Sequence, residues 1–247
     1  MKKYIFLLTS ILFIIACSKD SQLNTSTTSP GVTGTGGSLA RFTIVNDYLY
    51  TVDGTSLNVF SINNTNNIVF KNKVSIGMNI ETIFPYNGKL FIASNNGMYI
   101  YGLSNHTNPN QETFVQHFTG CDPVVVSGYF AYLTIHGGTR CNSSINQLQV
   151  YNISNIAYPQ LIKTINLTNP FGLGIKDTVL YVCDNGVGMR SYNIKNPYNI
   201  LPIQIETGEN FVDVIPMDST MVCMLTNGVA FYDIKNPGQI NKLSVVR

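Results

Sequence analysis

Short apolar runs alternate with turn residues from about residue 39 to the end of the chain. In the stretch 168–207, Gly, Asn, Asp or Pro separates runs rich in Val, Ile, Tyr and Phe, which are 171–175, 179–183, 189–194 and 201–205. Such runs predict β-strands joined by hairpins. Beyond the first 16 residues, no stretch has the 3.6-residue period of an amphipathic helix. The pattern therefore predicts an all-β domain.

One strand phrase, an aromatic residue followed by x-apolar-x-Asn, recurs five times. Its copies begin at Phe60, Tyr101, Tyr151, Tyr192 and Tyr232, and a period near 40 residues is typical of propeller blades. The repeat predicts a β-propeller of five blades with four antiparallel strands each, over approximately 39–76, 77–119, 120–167, 168–207 and 208–247. Each unit already holds four strands, so the pattern leaves open how the ring closes. An incomplete ring exposes strand edges and favours oligomerisation.

The third blade carries the enlarged loop. Residues His136 to Asn146 form an insert between its second and third strands and contain Arg140 and Cys141. In a propeller, the loops between second and third strands and the loops that enter each blade share one face. Cys121 enters the third blade on that face, so we predict a Cys121–Cys141 disulfide, with unlinked thiols as the alternative. His136 and Arg140 are the candidate binding residues of the insert, because loops longer than a fold requires often carry binding.

A second candidate site is the channel mouth. Arg41, Glu81 and Asp213 stand near the starts of the innermost strands of blades one, two and five. Ring order places Arg41 between the two carboxylates. We interpret the three charges as a cluster that neutralises itself. A substrate or metal site is the less favoured interpretation.

The N-terminus resembles the leader of bacterial lipoproteins. A short basic start is followed by an apolar run too short to span a bilayer, and the run ends Ile14-Ile15-Ala16-Cys17. The resemblance implies a signal peptide over 1–16 and an acylated Cys17, followed by a flexible Ser/Thr/Asn/Gly tether over 17–38. Ser18 favours the outer membrane, while periplasmic and surface exposure both remain open.

Charge and motifs limit the other functions. Removal of Lys2 and Lys3 with the leader takes the 15 basic residues to 13, against 13 acidic residues, so we expect no nucleic-acid partner. The sequence contains no catalytic or zinc-binding motif, and we predict neither a metal nor a cofactor. Cys183 and Cys223 are expected to be buried, unlinked apolar residues.

The repeat resembles the LVIVD family of bacterial propeller proteins, many of which are Bacteroidetes lipoproteins. Tyr232-Asp-Ile-Lys-Asn-Pro237 and Tyr192-Asn-Ile-Lys-Asn-Pro197 match its strand phrase best, and the likeness runs from about Arg41 to Val246. The resemblance implies a propeller in the cell envelope and no shared activity. Asp177-Thr178-Val179 and Asp218-Ser219-Thr220 resemble the O-glycosylation sequon of Bacteroidetes, which makes Thr178 and Ser219 candidate modification sites.

Two functions follow as hypotheses. The first is an outer-membrane or surface lipoprotein whose propeller binds an envelope protein or glycan through the face that carries the insert. The alternative is an enzyme acting on an envelope or glycan substrate at the channel mouth, around Glu81 and Asp213. A purely structural role in an envelope complex differs from the first only in its partner.

Overall fold

The computed structural model describes residues 36–64, 66–116, 123–138 and 144–247. This part of the chain is all-β and forms five sheets of four antiparallel strands, which confirms the predicted fold class. Within the described ranges, no helix is long and apolar enough to cross a membrane.

The strands follow the chain in order, and each sheet is one blade. Blade 1 consists of β1 (Phe42–Val45), β2 (Tyr48–Val52), β3 (Ser56–Ser61) and β4 (Val69–Ser75). Blade 2 consists of β5 (Ile80–Tyr86), β6 (Lys89–Ser94), β7 (Gly97–Gly102) and β8 (Asn110–Gln116). Blade 3 consists of β9 (Val124–Ser127), β10 (Phe130–Ile135), β11 (Gln147–Asn152) and β12 (Gln160–Asn166).

The last two blades repeat the plan. Blade 4 consists of β13 (Pro170–Lys176), β14 (Val179–Asp184), β15 (Gly188–Asn193) and β16 (Leu201–Glu206). Blade 5 consists of β17 (Phe211–Pro216), β18 (Thr220–Leu225), β19 (Gly228–Asp233) and β20 (Asn241–Val246). Each strand pairs only with its sequence neighbours, so every blade is a meander.

The repeated aromatic residue marks an irregularity that all five blades share. The register between the third and fourth strands shifts immediately before Phe60, Tyr101, Tyr151, Tyr192 and Tyr232. A shift at the same place in each blade turns the outer strand in the same way and increases its local twist. The phrase that reveals the repeat therefore coincides with a structural feature of each blade.

Consecutive blades pack through apolar faces. We call the side of a blade that contacts the next blade its forward face and the opposite side its rear face. Tyr50 and Val52 on the forward face of blade 1 pack with Leu90 and Ile92 on the rear face of blade 2. Equivalent cores join blades 2 and 3, blades 3 and 4, and blades 4 and 5. Their members are nearly inaccessible to water, so this burial is the main stabilising contribution.

Tyrosine hydroxyls also tie neighbouring blades together. The Tyr50 hydroxyl of β2 donates to the carbonyl of His106 in blade 2 at 3.0 Å and lies 2.8 Å from the Nδ1 atom of that histidine. The Tyr181 hydroxyl of β14 donates to the carbonyl of Pro237 in blade 5 at 2.8 Å. A buried tyrosine needs such a partner, and here the partner fixes a loop of the next blade.

Glycines allow the innermost strands of blades 4 and 5 to approach closely. A Cβ atom on Gly172 would lie 2.7 Å from the Asp213 carboxyl carbon, and one on Gly174 would lie 2.6 Å from the Pro216 ring. Both distances are shorter than real Cβ atoms show. The strands β13 and β17 therefore come this close only because both positions are glycine.

The Asn-Gly pairs after the second strands do not share one turn geometry. Of the pairs at 96–97, 185–186 and 227–228, only Gly186 and Gly228 have positive φ, and neither follows an asparagine of positive φ. The turn between β14 and β15 holds one residue more than the turn between β18 and β19. Three of the four positive-φ Asn and Asp residues in the described ranges lie instead between first and second strands, at Asn46, Asn87 and Asp177, and the fourth, Asn79, directly precedes β5.

Candidate functional site

A serine before β1 makes hydrogen bonds with the innermost strands of blades 4 and 5. The Ser38 hydroxyl donates to Oδ1 of Asp213 in β17 at 2.9 Å and accepts the backbone N–H of Leu173 in β13 at 2.8 Å. The Leu39 N–H donates to Oδ2 of Asp213 at 3.2 Å. The residues before β1 are thereby joined to blades 4 and 5, and we call this arrangement the Ser38 clasp. Ser38 is the last residue of the predicted tether, and it is only 2% exposed.

Asp213, a carboxylate of the predicted channel mouth, has a raised pKa. Asp213 is 5% exposed, and burial raises the pKa of its carboxyl group from 3.8 to about 6. Hydrogen bonds from Leu39 and Ser38 act in the opposite direction, since they stabilise the ionised form. Burial is the larger effect because the clasp shields the carboxylate from water.

The other two channel residues are placed differently from Asp213. Arg41 is exposed and its Nη2 atom donates to the carbonyl of Ile80 at 3.0 Å. Glu81 lies at a register shift of β5 that β17 repeats at Val212, so Glu81 is equivalent to Val212 and Thr82 is equivalent to Asp213. Among the described residues, Asp213 accepts hydrogen bonds from the Ser38 clasp and from the Val214 N–H, which lies 3.0 Å from its Oδ1 atom.

The insert face is partly described. Cys121, Arg140 and Cys141 lie outside the described residues, and the predicted disulfide stays a prediction. His136, which directly follows β10, packs against Phe171 of β13 with ring centres 4.5 Å apart and ring planes tilted by 32°. The Asn146 side chain closes the base of the insert, because its Oδ1 accepts the Gly137 N–H at 2.9 Å.

The His136 ring has an unmet hydrogen-bonding group. Its Nδ1 atom is enclosed and, in the part of the chain that the structure describes, is the buried side-chain polar atom without a partner. Burial lowers the pKa of His136, which favours the neutral ring. Such atoms are rare in folded proteins and require an explanation. A neutral imidazole nitrogen here offers a ligand one donor or one acceptor, depending on the tautomer.

Asp184 and Arg190 form an ion pair next to the loop that enters blade 4. The Arg190 Nε atom donates to the fully buried Asp184 carboxylate at 2.6 Å. Asp184 also accepts the backbone N–H groups of Thr168 and Asn169 at 3.0 and 2.7 Å. No spacing in the sequence identifies Arg190 as the partner of Asp184. The pair supports the loop beside Phe171.

The sequence analysis singled out five further residues. Thr178 is exposed and Ser219 is half-buried, each between the first and second strands of its blade, and modification of either stays a prediction. Cys17 lies outside the described residues. Cys183 and Cys223 are buried and unlinked, as expected. Nowhere in the described ranges do three or more His, Cys, Asp or Glu side chains gather as a metal site.

Comparison with solved structures identifies the class of fold. A protein from Lactobacillus plantarum is similar with a TM-score of 0.67 and 14% identity, over 87% of this chain and 70% of that one. The periplasmic gluconolactonase of Pseudomonas aeruginosa is similar with a TM-score of 0.64 and 15% identity, over 81% of this chain and 67% of that one. AztD of Citrobacter koseri has a TM-score of 0.57 at 10% identity, over 83% and 63% of the two chains.

The chain therefore has the fold of a β-propeller protein. At these identities the likeness defines the fold alone. No family model matches the chain, and no curated protein matches it either. The chain spans roughly two thirds of the length of the similar structures, 70% for the first and 67% for the second.

Proposed function

We propose that this protein is an envelope lipoprotein whose propeller binds a partner through the face that carries the insert. The unpartnered Nδ1 atom of His136 is the observation that carries the proposal. It lies beside an aromatic ring, at the base of a loop that the blade repeat does not require. An aromatic surface next to one hydrogen-bonding group suits an envelope protein or a glycan, since both present apolar and hydroxyl or amide groups.

A lipid anchor is consistent with this binding function. Acylation of Cys17 would hold the propeller at the outer membrane, close to the envelope protein or glycan that it binds. The similar structures leave the activity open, because they include an enzyme, the gluconolactonase, and the N-terminal domain of Nup159. The same fold thus serves different functions.

Catalysis at the channel mouth is the weaker candidate. Its support is Asp213, whose pKa of about 6 lies in a range suited to proton transfer. The Ser38 clasp covers this carboxylate, and only 5% of the residue is exposed. A substrate must break the hydrogen bonds of Ser38 and Leu39 before it reaches the carboxylate, whereas the enclosed Nδ1 atom of His136 has no hydrogen bond to break. Binding on the insert face is therefore favoured.

Site-specific crosslinking in the native envelope tests the proposal. A photoreactive residue replaces exposed Ser144 at the insert, and a control replaces exposed Thr178 on the opposite face. We expect a discrete adduct from position 144 and none from position 178. His136→Ala and Phe171→Ala should each reduce the adduct at least tenfold while the melting temperature shows a folded protein. Equal adducts from both faces, or indifference to both substitutions, would contradict the proposal.

A separate measurement tests the acylation of Cys17. The mass of the mature protein should correspond to a chain that begins at an acylated Cys17, and Cys17→Ser should abolish incorporation of a labelled fatty acid. Incorporation that survives Cys17→Ser would remove the lipoprotein part of the proposal and leave the binding site to be tested separately.

A further inference from the structure

A cavity of about 200 Å³ lies between blades 1 and 2. Val45 lines it from blade 1, while the end of β5, the turn that follows and Leu103 line it from blade 2. It is next to the turns between first and second strands, on the face opposite the insert. Its lining includes neither His136 nor Asp213, so it is separate from both sites described above.

A tyrosine occupies the equivalent place between blades 2 and 3. Val45 and Tyr86 are equivalent because each ends the first strand of its blade and pairs with the first residue of the second strand. Tyr86 packs against the apolar core between blades 2 and 3. Its hydroxyl oxygen accepts the Gly128 N–H at 2.7 Å. Blade 1 has only a valine where blade 2 has this ring.

The lining of the cavity corresponds to the surroundings of the Tyr86 ring. Leu103 lines the cavity, and its counterpart Ile153 belongs to the core against which Tyr86 packs. The N–H groups of Leu103 and Ile153 donate to the carbonyls of Gly88 and Tyr129, both at 2.9 Å, and each acceptor is the second residue of its turn. The cavity is therefore the space that a tyrosine ring fills one blade further along the chain.

The cavity also keeps the hydrogen-bond donor. Asn87 and Gly128 each directly follow the first strand of their blades, so the Asn87 N–H is equivalent to the group that binds the Tyr86 hydroxyl. Among the described residues, the Asn87 N–H donates no hydrogen bond. Asn87 is exposed at the rim of the cavity, where a ligand has access to it.

We propose that this cavity binds the phenolic side chain of a tyrosine on a partner polypeptide. The ring packs between Val45 and Leu103, and the hydroxyl oxygen accepts the Asn87 N–H, as Tyr86 does with Gly128. Phenylalanine fills the same space but offers no acceptor, so the site prefers tyrosine.

The size and charge of the cavity favour one neutral ring. Pockets for drug-sized ligands measure roughly 300–1,000 Å³, so this smaller cavity suits a single side chain. Lys89 also lines the cavity, but its Nζ atom lies 2.6 Å from Oε2 of Glu112. A lysine that is already paired attracts a carboxylate or phosphate only weakly. The lining therefore favours a phenol over an anion.

Nuclear magnetic resonance of the isotope-labelled full-length chain in detergent tests the proposal. The blocked tripeptide Gly-Tyr-Gly should shift the Asn87 amide signal, with a dissociation constant on the order of 1 mM. Gly-Phe-Gly should bind about fivefold more weakly, because one hydrogen bond is lost. Methyl glucoside should leave the signal unchanged. Equal binding of the two tripeptides, or tighter binding of the glucoside, would overturn the proposal, and neither comparison requires a variant.

A substitution that fills the cavity gives a second test. Val45→Tyr places a ring from the chain itself in the cavity, so it should abolish binding of Gly-Tyr-Gly and slow hydrogen exchange at the Asn87 amide about fivefold. Ser127→Tyr adds the same ring at the equivalent position of blade 3 and is the matched control, which should bind like wild type. Thermal unfolding establishes that both variants are folded. A folded Val45→Tyr variant that binds the tripeptide as wild type does would show that the peptide binds elsewhere.

Discussion

The Ser38 clasp makes a quantitative prediction about pH. Asp213 has an ordinary pKa of 3.8 when unfolded and a pKa of about 6 in the folded protein. Each pKa unit corresponds to about 1.4 kcal/mol, so this rise corresponds to about 3 kcal/mol. The folded state holds the proton more tightly, so this stabilisation is fully present below pH 3.8 and is lost as the pH rises through about 6.

Asp213→Asn removes the titration while retaining one acceptor for the Ser38 hydroxyl. The amide loses the second acceptor for the Leu39 N–H, and the cost of that loss does not vary with pH. The free energy of unfolding of the wild type, relative to the variant, should therefore fall by about 3 kcal/mol between pH 3.5 and pH 7. His136, whose pKa burial lowers, contributes with the opposite sign in both proteins and cancels in the difference.

Urea unfolding at several pH values measures this difference. The chain has 14 tyrosines and no tryptophan, so tyrosine fluorescence and circular dichroism are the suitable signals. Asp218→Asn, at an exposed carboxylate of the same blade, controls for the loss of one negative charge. A difference between wild type and Asp213→Asn that stays constant over this pH range would show that Asp213 is not shielded, and the clasp would then be open in solution.

Three further predictions concern contacts between blades. Gly172→Ala should lower the free energy of unfolding by roughly 1–3 kcal/mol, since the new methyl group meets the Asp213 side chain, and urea unfolding measures the loss. Tyr181→Phe should cost about 1 kcal/mol by removing one hydrogen bond to a loop of blade 5, and a cost near zero would show that water replaces it. Asp184→Ala should cost about 3 kcal/mol or more and release Arg190, with rapid hydrogen exchange at the backbone amides of residues 168 and 169 as the local measurement.

The sequence predicted the architecture well because the blade repeat is local. The strands, the turns and the repeated aromatic residue all lie within about 40 residues, so their pattern is visible without knowledge of the fold. Turn geometry is less visible in the sequence, because Asn-Gly pairs look alike whether or not their φ angles are positive. The pairing of β5 is likewise not visible in the sequence, since the extra residue at Glu81, which β17 repeats at Val212, leaves no mark on composition.

The candidate sites depended on contacts distant in the sequence. Ser38 lies at the end of a Ser- and Gly-rich segment and was assigned to the tether, yet its partner Asp213 is 175 residues away. A serine hydroxyl carries no signal of such a partner. His136 could be named as a candidate from the sequence, because it stands in the insert that interrupts the repeat. Its aromatic neighbour Phe171 was not, because it belongs to the next blade.

Exposure at one blade position shows what a repeat pattern is unable to reveal. Met224 and Cys183 are both apolar residues at the same blade position, so periodicity treats them alike. One is inaccessible and the other is 45% exposed, and the difference arises only from whether another blade follows. Burial at one blade position therefore depends on which blade packs against it, and this is a contact between distant residues that a repeat pattern does not record.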